Sequence, residues 1–371
     1  MKTSTKLLSW FGGVIAALLI VALAAVHFFG PSVGAMVVGK PIFLVPPSPS
    51  RYANVALDIM QEQGIYGDSP EFAAARAEAE RMLDGADLRD YADTWPALDL
   101  AIDAAGGKHS KVLRPEGDGQ GTGDDAGDEA GSDAAPAVTS EDTAAGGRVL
   151  TATVPAHGGD SGGPESQRYA DTLAAGIAGE TRAGACGAIV DLRGNGGGDM
   201  GPMVAGLSAL LPDGDVLWFD GRGGSSAVSL HGGSLSGGGS PITVDAGPKA
   251  DVPVAVLVDG GTASSGEATM LAFRGLENSA SFGAPTAGYA SANTVIGMPG
   301  GMKLMLTVAK DRDRTGDVHM DEPIRPDHST DNSTDSVTGS STDSATDAAS
   351  SGDAADAKTA ALEWLSTRGC G

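Results

Sequence analysis

The sequence predicts an α/β domain built on a mainly parallel sheet, preceded by a small helical region and an amino-terminal membrane helix. Three observations predict this. Apolar, β-branched runs such as Val254 to Val258 alternate with stretches of helical period, the pattern of strands joined by right-handed helical crossovers. Ahead of that alternation, Ser69-Pro70-Glu71 reads as a helix start and Gly106-Gly107 as a helix stop. Leu7 to Phe29 carries no charge and follows Lys2 and Lys6, which suits a span of roughly 20 apolar residues with a basic inner flank.

In chain order, residues 1–6 are expected to be cytoplasmic and residues 7–29 to form the transmembrane anchor. Cleavage near Ala22-Leu23-Ala24 is the alternative, because small residues occur there. Residues 30–113 form the helical subdomain, entered through a stiff connector at Pro46, Pro47 and Pro49. Tyr52, Val55, Ala56, Ile59 and Met60 share one helix face, Phe72, Ala75, Ala79 and Met82 a second, and Trp95, Leu98, Ile102 and Ala105 a third. Residues 114–147 are expected to be a disordered acidic loop, since positions 115 to 147 hold nine acids and no Lys or Arg.

Residues 148–328 hold the α/β domain. Strands are expected at Val149 to Pro155, Ala188 to Leu192, Val216 to Phe219, Val254 to Val258 and Lys303 to Val308, with helices at Ser166 to Ile177, Met200 to Leu211 and from Ala268. Residues 329–356, repeating Ser-Thr-Asp elements, read as a disordered linker, and residues 357–371 as a docking helix bearing Ala361, Leu362, Trp364 and Leu365.

The 371 residues carry 48 acids against 24 Lys and Arg, and the net charge of -24 argues against a nucleic-acid partner. Cys186 and Cys370 either bridge the carboxyl-terminal helix to the core or stay unpaired. No HExxH, no GxxxxGK[ST] and no ligand cluster points to a metal or nucleotide cofactor.

The chemistry concentrates in two segments. Val252 to Glu267 reads as a buried strand, a Gly/Ser turn and a helix start, so Ser264 and Ser265 sit at the strand's carboxyl end beside free helix N–H groups. Such serines either cap the helix or serve as an acyl-transfer nucleophile. Ala188 to Gly198 runs from a strand into three glycines, which let a backbone aim N–H groups at a ligand.

DLRGNGGG at Asp191 to Gly198, TASSGE at Thr262 to Glu267, GAPTAGYASAN at Gly283 to Asn293 and EPIRPD at Glu322 to Asp327 together resemble the tail-specific (carboxyl-terminal processing) serine protease family. The resemblance implies a crotonase/Clp-protease-like fold, Ser265 as nucleophile, and Gly197 and Gly266 N–H groups as the oxyanion hole. Two departures stand out: the acidic loop occupies the place of the family's usual PDZ domain, and Tyr289 stands where its dyad lysine would be. The chain is more similar to the PDZ-less, tricorn-core-like branch. There GGKHS would supply His109 as base, with Glu322 and Ser110 completing the set. His157 is the reserve base.

The expected function is therefore a membrane-anchored, extracytoplasmic serine endopeptidase acting on a peptide or protein substrate, without cofactor or metal. The alternatives are a catalytically inactive ligand- or peptide-binding protein on the same fold, and an acidic scaffold that binds cations.

Overall fold

The computed structural model describes residues 2–115, 134–143, 146–158, 161–330 and 351–370. The chain divides into two units, Met1–Gln120 with Asn293–Val308, and Gly121–Ala292 with Ala309–Gly371.

The first unit begins with α1 (Lys2–Val38), the one helix among the described residues long and apolar enough to cross a membrane, through its stretch Leu18–Val38. Next come α2 (Pro49–Gln63), α3 (Pro70–Asp84) and α4 (Trp95–Gly106). Local chemistry sets their ends: the Ser48 and Ser69 hydroxyls accept from the N–H groups of Arg51 and Phe72 at 3.3 and 3.0 Å, with proline at the first helical position. Gly107, at φ 79°, closes α4 in a conformation that a side chain would strain. Tyr52, Leu57, Ile59, Met60, Phe72 and Leu98 fill the core. The strand β1 (Lys111–Leu113) follows.

The second unit carries, in order, β2 (Ala137–Asp142), β3 (Arg148–Thr153), α5 (Pro164–Arg182), β4 (Gly187–Asp191), α6 (Met200–Gly206), β5 (Gly214–Gly221), β6 (Gly224–His231) and β7 (Ser234–Ser236). Then come β8 (Val254–Val258), α7 (Ser265–Phe273), β9 (Ser279–Gly283), β10 (Ser291–Gly297), β11 (Lys303–Arg312), β12 (Val318–His319), β13 (His328–Ser329) and α8 (Ser351–Thr367). β10 and β11 each give part of their length to the first unit.

The organising sheet has the order β13-β9-β8-β4-β3-β2, parallel except at the β2–β3 edge. β8 is buried along its whole length, with Val256 opposite Val190 on one side and Ser281 on the other. Alternation divides its faces. Val254, Val256 and Val258 join the core beneath α5, α6 and α7, whereas Ala255 and Leu257 join a second cluster closed by Ala357, Ala361 and Leu365 of α8. Cys186 and Cys370 are disulfide-bonded, tying the segment after α8 to the residue before β4. A smaller antiparallel set, β7-β6-β5 with the later part of β11, completes the unit.

Two expectations are corrected. Ala137–Asp142, assigned to the acidic loop, is an edge strand whose Val138 packs where a Cβ on Gly176 would come within 2.6 Å. Residues 116–133, most of that loop, and residues 331–350 of the expected linker lie outside the described residues. Ile296, Met298, Met302, Leu304 and Leu306, assigned to the α/β domain, are buried in the core of the helical unit, where β1 pairs antiparallel with the start of β11. β6 and β7 escaped notice because serine and glycine replace the apolar alternation that marks a strand.

Removing the disulfide by Cys370→Ser is expected to lower stability by about 2–4 kcal/mol. Urea unfolding of the oxidised wild type and the variant would measure it.

Candidate active site

Two loops at the carboxyl ends of neighbouring strands β4 and β8 build the site, and side-chain to backbone bonds knit them together. Asp259 Oδ1 accepts the N–H groups of Gly194 and Gly261, each at 2.9 Å. The Thr262 hydroxyl donates to Leu192 O at 2.9 Å, and Ala263 N–H to Asn195 O at 2.8 Å. Asn195 is fully buried, its Nδ2 donating to Val154 O at 2.8 Å and its Oδ1 accepting from Gly197 N–H at 2.9 Å. The glycine loop therefore has a fixed shape.

The turn into α7 is strained at one residue. Ser264 has φ 52° and ψ -117°, and among the described non-glycine residues only Ser161 shares a positive φ. Gly197, at φ 108°, lies so close that a Cβ there would be 2.8 Å from Ser264 Cβ. Ser265 points differently, its hydroxyl donating to Gly198 O at 2.6 Å. Gly266 N–H donates to Ala263 O at 2.8 Å. The structure thus brings Ser265, Gly197 and Gly266 together, with both glycine N–H groups already engaged.

Glu267 holds the strained turn. It is fully buried, and its Oε2 accepts Ser264 N–H at 2.9 Å and Tyr289 N–H at 2.7 Å. Its Oε1 accepts Gly288 N–H at 2.9 Å and the Thr286 hydroxyl. Burial pushes its carboxyl above the ordinary value, while these donors act in the opposite direction. Asp311 is also buried, and its Oδ1 has no partner among the described residues. Burial first, and the Glu267 charge second, push the Asp311 carboxyl well above the ordinary range. Tyr289, at the place of the family lysine, offers its backbone N–H to Glu267.

The remaining sequence-predicted residues are placed as follows. In the first unit His109 and Ser110 are both buried just after α4. Ser110 Oγ accepts Thr307 N–H at 2.9 Å and donates to Thr307 Oγ1 at 3.2 Å, and a Cβ on Gly106 would come within 1.9 Å of it. That hydroxyl is committed to pinning the histidine turn to β11. In the second unit Glu322 is exposed, while its backbone packs against Gly288. His157 stabilises the glycine loop, its N–H donating to Gly197 O at 3.0 Å and its O accepting Asp199 N–H at 2.8 Å. Its Nε2 lies 3.0 Å from Ser166 Oγ. Glu267 was missed as a functional group, although the Ser-x-x-Glu spacing from Ser264 is a capping-box signal visible in the sequence.

The model of the family described as peptidase family S41 matches residues 165–330. The nisin-resistance protein of Lactococcus lactis subsp. lactis is 37% identical over 329 residues, 88% of this chain and 90% of that protein. A lipoprotein from Streptococcus agalactiae has a similar structure, with TM-score 0.63 and 25% identity over 88% of this chain and 99% of that one. The photosystem II D1 C-terminal processing protease shares the fold, with TM-score 0.56 and 15% identity over 76% and 93% of the two chains.

Two outcomes are expected from this network. Glu267→Gln turns an amide donor toward backbone N–H groups and should cost about 1–3 kcal/mol for each donor left unsatisfied, read by urea unfolding. Asp311→Asn removes a carboxyl whose folded pKa is raised. In the wild type this group contributes most below the ordinary carboxylate value of 3.8, and the contribution is lost as pH rises toward the folded value. The variant should therefore gain in melting temperature over wild type at pH 8, and the gain should shrink toward pH 4. Equal shifts at both pH values would show that Asp311 is not held protonated.

Proposed function

Because the chain belongs to peptidase family S41, we propose that it is a membrane-anchored serine endopeptidase whose nucleophile is Ser264, one residue before the serine that the motif alone favours. The carrying observation is the strained backbone of Ser264 at φ 52° and ψ -117°. A serine on a sharp strand-to-helix turn presents its hydroxyl outward, next to the first N–H groups of the helix. Ser265, by contrast, has its hydroxyl on Gly198 O.

The oxyanion donors shift with the nucleophile. Gly197 and Gly266 N–H groups have internal acceptors, Asn195 Oδ1 and Ala263 O. The N–H of Ser265, first in α7, has no intrahelical partner, and no hydrogen bond from Gly198 N–H occurs among the described residues. These two N–H groups are the proposed oxyanion hole, each worth about 3 kcal/mol to the transition state.

In this reading His109 removes the Ser264 proton as the hydroxyl adds to the peptide carbonyl, then returns it to the departing amine. Water repeats the sequence on the acyl-enzyme. Imidazole suits the task because it changes charge near neutral pH. Ser110 acts by fixing the histidine turn, and Glu322 is tested in the same assay.

The apolar stretch Leu18–Val38 and the basic residues ahead of it support a peptidase held on the outer side of the cytoplasmic membrane. Kinship to a nisin-resistance protein points to nisin-type peptides as substrates. A net charge of -24 suits attraction of cationic peptides.

Fluorophosphonate labelling of the full chain in detergent is the test. Ser264→Ala and His109→Ala should abolish labelling and nisin cleavage, read by mass spectrometry, while Ser265→Ala and Glu322→Gln retain labelling. Loss in Ser265→Ala with retention in Ser264→Ala would return the nucleophile to Ser265. A folded wild type that never labels would favour the inactive peptide-binding reading.

A further inference from the structure

The carboxyl-terminal part of α1 is built into the helical unit. Arg51 Nη2 donates to His27 O at 2.7 Å and its Nη1 lies 3.0 Å from His27 Nε2. The Ser32 hydroxyl donates to Glu62 at 3.4 Å, and Ala35 is buried in the helical core. These contacts occupy one face of the helix. On the other face Phe29, Val33, Met36 and Val37, spaced by a turn or two, are all exposed.

After Val38 the chain reverses at Gly39, φ 67°, and doubles back along the helix. Lys40 N–H donates to Gly34 O at 3.3 Å and Ile42 N–H to Gly30 O at 3.2 Å. Glycine is required at both contacts, since a Cβ would lie 2.6 Å from Lys40 O at Gly34 and 2.8 Å from Ile42 O at Gly30. Ile42 is thereby returned about 12 Å along the helix axis from Val38, at about 1.5 Å per residue. Ile42, Leu44 and Val45 are exposed beside the level of Phe28 and Phe29, which are 74% and 67% accessible. Nine large apolar side chains between Phe28 and Val45 face outward, a cluster that monomeric surfaces rarely leave uncovered. Across residues 28–47 an acidic protein places no acid and one cation, Lys40.

We propose that this hairpin of the α1 terminus and residues 39–45 is a lipid-binding surface, seated at the boundary between headgroups and acyl chains where the span leaves the bilayer. The proposal rests on the anchored reading above. Its occupant is lipid because the patch continues the apolar span directly, and because aromatic and aliphatic side chains with a lone lysine match an interfacial layer. The Arg51–His27 clamp marks where the span stops being surrounded by hydrocarbon. The helical unit is then held against the membrane by two apolar elements, which fixes its distance from the lipid as well as its attachment.

The test uses the full chain reconstituted into phosphatidylcholine and phosphatidylglycerol vesicles. An environment-sensitive fluorophore is placed on Leu44→Cys, on Met36→Cys or, as an exposed control, on Asp84→Cys at the end of α3. The first two labels are expected to shift to the blue, lose most of their emission to lipid-borne nitroxide quenchers and resist dithionite in water. The control should do none of these. Labels at Leu44 and Met36 that behave like the control, in protein that floats with the vesicles after carbonate washing, would overturn this inference and leave the anchor intact. Protection from dithionite without lipid quenching would also overturn it, in favour of a second protein surface. Failure to float would remove the anchor and this inference with it.

Discussion

A single buried carboxylate is the constraint on which the site depends. Glu267 accepts hydrogen bonds from Ser264, Thr286, Gly288 and Tyr289, which joins the strained turn to a segment twenty-odd residues later in the chain. A carboxylate has about four lone-pair sites, and here each is taken. Charge buried without donors is expensive; charge buried with four of them is a rigid node. Backbone strain at Ser264 persists because that node, the Asn195 contacts and the crowding by Gly197 determine the turn from several sides.

Asp311 shows the other side of the same balance. Burial raises both carboxyls, but only Glu267 has hydrogen-bond donors that act against the shift. Every donor to Glu267 is a neutral N–H or O–H group, and these set the geometry of the turn. Electrostatic order in this site comes from desolvation and hydrogen bonding.

Much of this was legible in the sequence. β8 and β4 announced themselves as unbroken apolar runs because both of their faces are covered. The four ordered motifs located the loops and the serines. What sequence could not supply was conformation: no residue pattern distinguishes which of two adjacent serines takes φ 52°. Nor could it foresee that Met298 to Leu306 would pack among helices more than 190 residues earlier, since apolar alternation specifies a strand and not its neighbours. The strand at Ala137–Asp142 was hidden by acids at positions 141 and 142, which sit on an edge where water reaches them. Glu267 was within view as a cap residue; its reach to residues 286–289 was not.

The position of α8 has a consequence for the order of events during synthesis. Val149, Ile189, Ala255 and Leu257 form an apolar sheet face whose cover is α8, which follows every strand of that sheet in the sequence, and the disulfide that fastens it joins Cys186 to Cys370. A ribosome finishes every strand of the parallel sheet before it makes that cover. Until α8 arrives the sheet has one wet side, and until the thiols meet an oxidising compartment the lid is held by packing alone. Completion of this fold is thus coupled to both the synthesis of α8 after all of the sheet's strands and the redox state of the place where the chain arrives.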